Sequence, residues 1–401
     1  MDSLKMIIIS QHFPPDKSGN ASRIYDLAKN LVKLGANVTV YSPFPSFPHG
    51  TFPKVNKLRS NRIIDGIIHY KVWNWQPSSK DPSFMSRIAY YLVFPLLATI
   101  RALINSKQYD VIITTAPPVF TGIPGFFIKK ISRKKWLFDV RDLWLEASVA
   151  LDFIKKDGFF YKITRIYEKM CYDSCDEILV TTNKVKEIIS KHYDINDRKI
   201  KVIPNGVDTK VFRPLEKKQK NQLIFTGNIG HAQDLESVIL AVKKINEQED
   251  IGLDFHLVGD GDIKNQLETF VKQNNIDDHV FFTGILDRKE IPRVINESLI
   301  GIAPLKKLKT LEYAVPTKSY EYMACGIPFI GTGSGEIENI AQESGGGLIA
   351  ENGVDSIYEK ISYLMRHPEI RVEMGKSGRS FVKKHYDRKN IAKSLLDLIN
   401  S

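Results

Sequence analysis

Short apolar runs alternate along almost the whole chain with stretches whose apolar residues recur at helical spacing. Residues 6–10 read as a brief buried strand and 11–20 as a loop. Ile24, Leu27, Ala28, Leu31 and Leu34 then share one helical face until Gly35 ends the helix. Val38 and Val40 mark a second strand at 37–41, and further strands are predicted at 111–115, 136–140, 177–181 and 201–203, with helical segments between them. The pattern restarts with a strand at 223–226, a helix over 235–245, a strand at 255–258, a helix near 264–271, and strands at 280–283 and 299–304.

Strand and helix in strict alternation imply parallel sheets covered on both faces. The predicted fold class is therefore α/β, with two Rossmann-like doubly wound parallel-sheet domains. The polar, Lys-rich run 215–221 marks the linker. The expected division is 1–214 for the first domain, 215–385 for the second, and 386–401 for a terminal helix that packs back on the first. Open sheets of this kind bind ligands beyond the carboxyl ends of their strands, and two of them facing make a cleft. Loops that follow strands are thus where chemistry is expected.

Composition adds a bias rather than a class. The 43% hydrophobic and 26% charged content is that of a soluble globular protein. Its net charge of +11 is one-sided: residues 1–200 carry 30 Lys+Arg against 18 Asp+Glu, and the remainder 27 against 28. A basic half suits a polyanionic partner such as anionic lipid or a phosphorylated substrate. Nucleic acid is not expected, since the basic residues lack interleaved aromatics or a recognition-helix motif.

Three cysteines, Cys171, Cys175 and Cys325, suit neither a disulfide framework nor a four-thiolate zinc site, and no divalent metal is expected. The first residues run straight into the apolar 6–9 with no leader pattern, so a cytoplasmic chain is expected. The apolar stretch 88–100, flanked by Arg87 and Arg101 and interrupted by Pro95, is too short to span a bilayer. It suits a surface helix lying in the lipid interface, which would make the protein peripheral on the inner face of the cell membrane.

Candidate chemistry sits in the loops. After the first strand, the segment from Phe13 to Arg23 leads into a helix, and Gly19 would let backbone N–H groups approach an anion at that helix's positive end. After the strand at 136–140, Arg141, Asp142 and Trp144 offer charge and an aromatic face to a sugar. In the second half, Pro316-Thr317 precedes a short helix. Thr317 is a plausible N-cap, and Lys318 joins the amides and dipole in drawing a diphosphate, with Glu321 a turn later. Glycine-rich loops around Gly331 to Gly335 permit close backbone approach to phosphate or sugar.

The loop 13–19, the run Ile203-Pro204-Asn205-Gly206-Val207-Asp208, Gly227-Asn228-Ile229-Gly230, Val258-Gly259-Asp260-Gly261 and Tyr320-Glu321-Tyr322-Met323-Ala324-Cys325-Gly326-Ile327-Pro328 together resemble the family-4 retaining glycosyltransferases of the GT-B fold. Residues 139–146 and Pro316-Thr317-Lys318 look like a subgroup that assembles surface polysaccharide or protein-linked glycans on lipid carriers.

The resemblance implies transfer with retention from a nucleotide-diphosphate sugar, UDP-linked, to a hydroxyl of a polyprenyl-linked glycan, the nucleotide sugar being a co-substrate and no cofactor being needed. It assigns Gly19, Gly227, Asn228, Gly259, Gly284, Thr317, Lys318, Glu321 and Gly335 to the donor. Arg23, Arg141, Asp142 and Trp144 go to the acceptor, and Asp142 and Lys318 to catalysis. Many members carry two glutamates eight positions apart, whereas the partner position of Glu321 is Tyr313, with Glu312 beside it. The rival expectations are a nucleotide-sugar 2-epimerase of the same layout and a non-catalytic nucleotide-sugar binder.

Overall fold

The structure, a computed structural model, describes residues 3–79, 83–150, 154–249 and 251–401. Met1 and Asp2, where the reading of a missing leader begins, lie outside them. Contacts divide the chain into two compact units, 1–205 with 388–401, and 206–387.

The first unit holds one sheet of eight strands: β1 (Lys5–Ser10), β2 (Asn37–Pro43), β3 (Arg59–Ile64), β4 (Ile67–Val72), β5 (Val111–Ala116), β6 (Lys135–Val140), β7 (Glu177–Val180) and β8 (Ile200–Val202). Their order is β3-β4-β2-β1-β5-β6-β7-β8, parallel except for the β3–β4 pair. Central strands covered on both faces must be apolar throughout, and Ile7, Ile8, Ile112, Ile113, Leu137 and Phe138 are fully buried.

The edge hairpin β3–β4 escapes the sequence reading because β3 is polar and exposed. Its signal is nonetheless present, since Asp65 and Gly66 both adopt positive φ (48° and 80°) between Ile64 and Ile67, the two-residue turn that an Asp-Gly pair favours.

Helices Phe84–Ile104, Gly122–Ser132 and Phe159–Ser174 lie side by side on one face of this sheet, adjacent members packing together. The helix Gly19–Lys33 covers the opposite face, as right-handed crossovers from β1 require, and the C-terminal helix Arg388–Asn400 packs against it. Ile391, Ala392, Leu395 and Ile399 join Ile24, Leu27 and Leu31 in one buried cluster, and Arg388 pairs with Asp26.

The helix expected at 88–100 runs from Phe84 to Ile104, longer at both ends. Ser83 caps it by accepting from the Ser86 N–H, and Pro95 stays inside because the cost of one missing hydrogen bond is outweighed by burial of Tyr90, Phe94, Ala98 and Ala102. Residues Met85–Ile104 are therefore long and apolar enough to cross a membrane by length and composition, correcting the shorter reading, although 33% of that window is buried inside the fold.

The second unit has six parallel strands, β9 (Gln222–Thr226), β10 (Asp254–Val258), β11 (Val280–Gly284), β12 (Ile300–Ala303), β13 (Phe329–Thr332) and β14 (Gly347–Ala350), ordered β11-β10-β9-β12-β13-β14. The chain enters it after Asn205 and leaves after Asp387, against the expected 214 and 385. The physical reason is burial ahead of the polar run: Val207 and Phe212 sit in a core cluster with Ile224, Tyr320 and Val382. The Val207 N–H donates to the Tyr386 carbonyl, tying entry to exit.

Candidate functional site

In the second unit the connection from β9 turns to β10 on one side, while β12 lies on its other side, so the topological switch point falls between β9 and β12. Three adjacent strands end there in glycines with positive φ: Gly227 (115°), Gly259 (147°) and Gly284 (77°). The Gly227 N–H donates to Val258 O and the Gly259 N–H to Gly284 O, both at 2.9 Å, so the sheet is zipped to its rim. A Cβ on Gly259 would lie 1.9 Å from the Gly227 carbonyl oxygen, which makes this glycine a steric requirement. Gly227 and Asn228 are exposed at this edge, and Gly284 borders open space.

Lys318 enters the same place from the helix Thr317–Cys325, which packs on β12. Its Nζ stands 3.8 Å from the centroid of the Phe225 ring on β9, and its Nζ would lie 3.9 Å from a Cβ placed on Gly227. The residue is only 9% exposed, and among the described residues it makes no hydrogen bond or ion pair. Burial lowers its pKa to about 7, while the charge of Glu321, one turn along, pulls the other way. A buried ammonium with no hydrogen bond or ion pair among the described residues, and only the more distant charge of Glu321 to balance it, is what an anion-binding position looks like before its ligand arrives.

Two positions differ from the expectation. Thr317 is exposed and is the first helical residue; Pro316 occupies the cap position with no side-chain cap bond, and Ser319 Oγ donates to the Pro316 carbonyl instead. Gly335 (φ 83°) does not open toward a ligand: a Cβ there would lie 2.2 Å from the Glu312 carbonyl oxygen, and its N–H donates to Glu338. Gly335 thereby seats the loop that carries Glu312, whose carbonyl also accepts from the Glu336 N–H. Tyr313 is buried while Glu312 is half-buried, so of the two candidates Glu312 is the one that reaches solvent. Asp260 and Asp262 form a D-x-D spacing that the sequence reading passes over, but Asp260 Oδ1 accepts from the Gly261 N–H. Among the described residues no group of three or more His, Cys, Asp or Glu is placed to hold a metal ion.

In the first unit the four acceptor candidates separate. Arg23 and Arg141 are buried and both grip Asp139: Arg23 Nη2 donates to Oδ2 and Arg141 Nη1 to Oδ1, each at 2.8 Å. Arg23 also donates to Thr115 Oγ1, and Arg141 to Ile203 O and Asn205 Oδ1. Burial alone would raise the Asp139 carboxyl, but Arg141 and Arg23 outweigh it and hold it below its ordinary range. These two arginines lock β6 to its neighbours and to the segment leaving the unit, so of the four acceptor candidates they are the two whose donors are engaged within the fold. Asp142 is exposed, and Trp144 is half-buried with its ring edge-on to Phe120. Gly19 opens the first helix behind the cap Ser18, with no atom within 4 Å of a Cβ placed on it, so nothing steric demands glycine there.

The sequence reading misses a polar cluster where β1, β2 and β4 end. His12 Nδ1 lies 3.0 Å from Asp16 Oδ2, while Asp16 Oδ1 accepts from the N–H groups of Ser46 and Phe47. Gln11 and Asn74 each donate to the Tyr90 carbonyl, and among the described residues Gln11 Oε1 and Asn74 Oδ1 are buried without a partner. Buried acceptors left open are rare and point to a donor that the described residues do not supply. The only available signal was His12 and Asp16 in the loop after a strand, four residues apart.

The geometry has counterparts among known proteins. The family Glycosyltransferase Family 4 matches residues 18–211, and Glycosyl transferases group 1 matches residues 207–381. The chain is similar to an uncharacterized glycosyltransferase of Methanocaldococcus jannaschii, 21% identical over 98% of this chain and 97% of the relative. It is also similar to the UDP-Gal:alpha-D-GlcNAc-diphosphoundecaprenol alpha-1,3-galactosyltransferase of Escherichia coli, 24% identical over 73% of this chain and 74% of the relative. The crystal structure of Anabaena HepE in complex with UDP-glucose superposes with a TM-score of 0.70 at 13% identity, covering 99% of both chains, and has the same fold.

Two stability measurements follow from the charges. Asp139→Ala leaves two buried guanidinium groups facing each other, and urea denaturation is expected to show a loss of roughly 3–5 kcal/mol; a loss within error of zero would show that the triad is not structural. Lys318→Met removes a buried charge that has no direct ion pair among the described residues. Since the unfolded chain binds the Lys318 proton more tightly, the lysine's penalty is complete below pH ~7 and fades as pH rises toward ~10.5. The methionine variant is expected to gain roughly 1–4 kcal/mol at neutral pH, the gain shrinking in alkaline buffer.

Proposed function

Because this chain is a glycosyltransferase of the GT-B class, joining a family-4 half to a group-1 half, we propose that it transfers a sugar from a UDP-linked donor to a hydroxyl of a lipid-linked glycan, with retention. One observation carries the donor assignment: the ammonium of Lys318, buried over Phe225 at the switch point and without an anionic partner among the described residues. A diphosphate supplies that partner. The backbone of Gly227 and Asn228 and the amino end of the helix Thr317–Cys325 add N–H donors and a favourable dipole. Glu321, part-exposed one turn on, faces the ribose hydroxyls. Support for a UDP donor comes from the fold shared with HepE, which binds UDP-glucose, and from the Escherichia coli relative, whose named substrates are UDP-Gal and a diphosphoundecaprenol-linked sugar.

In the proposed step the bond from the anomeric carbon to the diphosphate oxygen breaks as the acceptor oxygen bonds to that carbon on the same face. The acceptor proton passes to the departing phosphate. Lys318 stabilises the charge that builds there, and exposed Asp142 orients the acceptor hydroxyl.

UDP is expected to raise the thermal midpoint of the wild type and to leave that of Lys318→Met unchanged, with kcat of the variant down by about 10²–10³-fold. Bound diphosphate restores the lysine proton, so UDP affinity is expected to fall, by up to about tenfold per pH unit, as pH climbs above ~7. An unshifted midpoint in the wild type, or equal shifts in both proteins, would remove Lys318 from the site. Asp142→Ala is expected to lower kcat with little change in UDP affinity; undiminished turnover on a polyprenyl-linked acceptor discards its role. Conversion of UDP-N-acetylglucosamine without any acceptor would replace transfer by epimerisation.

A further inference from the structure

We infer that the layer of helices Phe84–Ile104, Gly122–Ser132 and Phe159–Ser174 is a docking face for an anionic lipid bilayer. Only the first of these helices carries a sequence signal for membranes. The third gives the stronger structural one: Phe159 (74% exposed), Ile163 (48%), Ile166 (71%) and Met170 (36%) follow one another at intervals of four, three and four residues. That spacing aligns them in a single stripe three turns long, on the side away from the buried Thr164, Glu168 and Tyr172. The first helix repeats the device with exposed Leu96, Ile100 and Ile104, and the middle helix with Phe127 and Ile131.

Scattered exposed apolar residues mean little, but three neighbouring helices of one layer, each carrying several, expose more apolar surface together than water favours.

Charge decides what covers it. Neither Phe84–Ile104 nor Gly122–Ser132 contains an acidic residue. Exposed Lys130, Arg133, Lys162 and Arg165 border the stripes, and the two acidic residues of the third helix are already engaged, Glu168 buried against Tyr193 and Asp173 paired with Lys169. A second copy of the chain would bring the same positive surface against this one and be repelled. A nucleic acid would satisfy the lysines but leave Phe159, Ile163, Ile166 and Met170 in water. An anionic bilayer accepts both, taking apolar side chains below the headgroups and basic ones among them. Crossing the bilayer is disfavoured for Met85–Ile104, since Tyr90, Phe94, Ala98 and Ala102 are committed to the sheet.

The inference does not depend on the assignment of the donor, and its test separates the two. The full chain is floated with vesicles of phosphatidylcholine alone and of phosphatidylcholine mixed with phosphatidylglycerol. Wild type is expected to rise only with the mixed vesicles and to be released by salt. Ile163→Ser/Ile166→Ser and Lys130→Glu/Arg133→Glu are each expected to weaken partitioning about tenfold. All three proteins should keep the same thermal midpoint and the same response to UDP, because the substituted side chains are exposed. Wild type left in the soluble fraction, variants that float as well as wild type, or a wild-type dimer that Ile163→Ser/Ile166→Ser dissociates would each overturn the inference.

Discussion

A lysine held in an apolar place with no direct ion pair among the described residues is the constraint around which the second unit is arranged. Lys318 stands over Phe225, a fully buried ring of the central strand β9. A protein of marginal stability keeps such a charge only when its fold forces it there and its function gains from it. The forcing is visible in the packing of the helix behind it. Tyr322, fully buried one turn on, donates to Ile302 O and takes a hydrogen bond from the Thr226 N–H, and Ser319 and Met323 are buried on either side. The helix cannot rotate Lys318 outward without withdrawing Tyr322 from between β9 and β12.

The glycines at the strand ends serve the same arrangement by removing side chains from the space Lys318 faces. Gly259 is fixed by the Gly227 carbonyl, and Gly335 by the Glu312 carbonyl. Both are close backbone approaches that any Cβ would block, though only the first lies at the rim where β9, β10 and β11 end. Gly335 acts at one remove, by seating a loop. Glycine in a loop after a strand therefore has two physical meanings, one of making room for a ligand and one of making room for the chain, and the sequence does not distinguish them.

Much of the architecture was legible because parallel sheets buried on both faces leave continuous apolar strands, as at β1 and β5, and because helical periodicity is strong in 24–34 and 235–245. What escaped was whatever lay at an edge or depended on tertiary partners. Strand β3 is exposed and polar, so only the Asp65-Gly66 turn betrayed it. The compact units divide at 205 rather than at the polar run 215–221 because Val207 and Phe212 already belong to the second core. Lys318 was found, but its burial was not; nothing in Pro316-Thr317-Lys318 says that the ammonium faces a phenyl ring. His12 and Asp16 carry little signal in the sequence because a pair four apart in a loop acquires meaning only when a third group, here the amides of Ser46 and Phe47, fixes one of them.

The two units use charge in opposite ways, and the sequence alone does not tell them apart. Arg23 and Arg141 lie at the carboxyl ends of strands, or beside them, just as a substrate-binding residue would. Yet both share one carboxylate, Asp139, whose two oxygens are each taken by a guanidinium. A closed set of this kind has no remaining demand for a ligand and lends rigidity instead. Lys318 is the reverse, buried with its demand unmet among the described residues. The same distinction applies to the basic excess of the first half: once Arg23 and Arg141 are counted as paired within the fold, the charge that still looks outward includes Lys130, Arg133 and Lys162, beside the apolar stripes of one helical layer. Net charge read from composition cannot separate these populations, because burial and partnership, not residue type, decide whether a charge holds the protein together or remains available to something outside it.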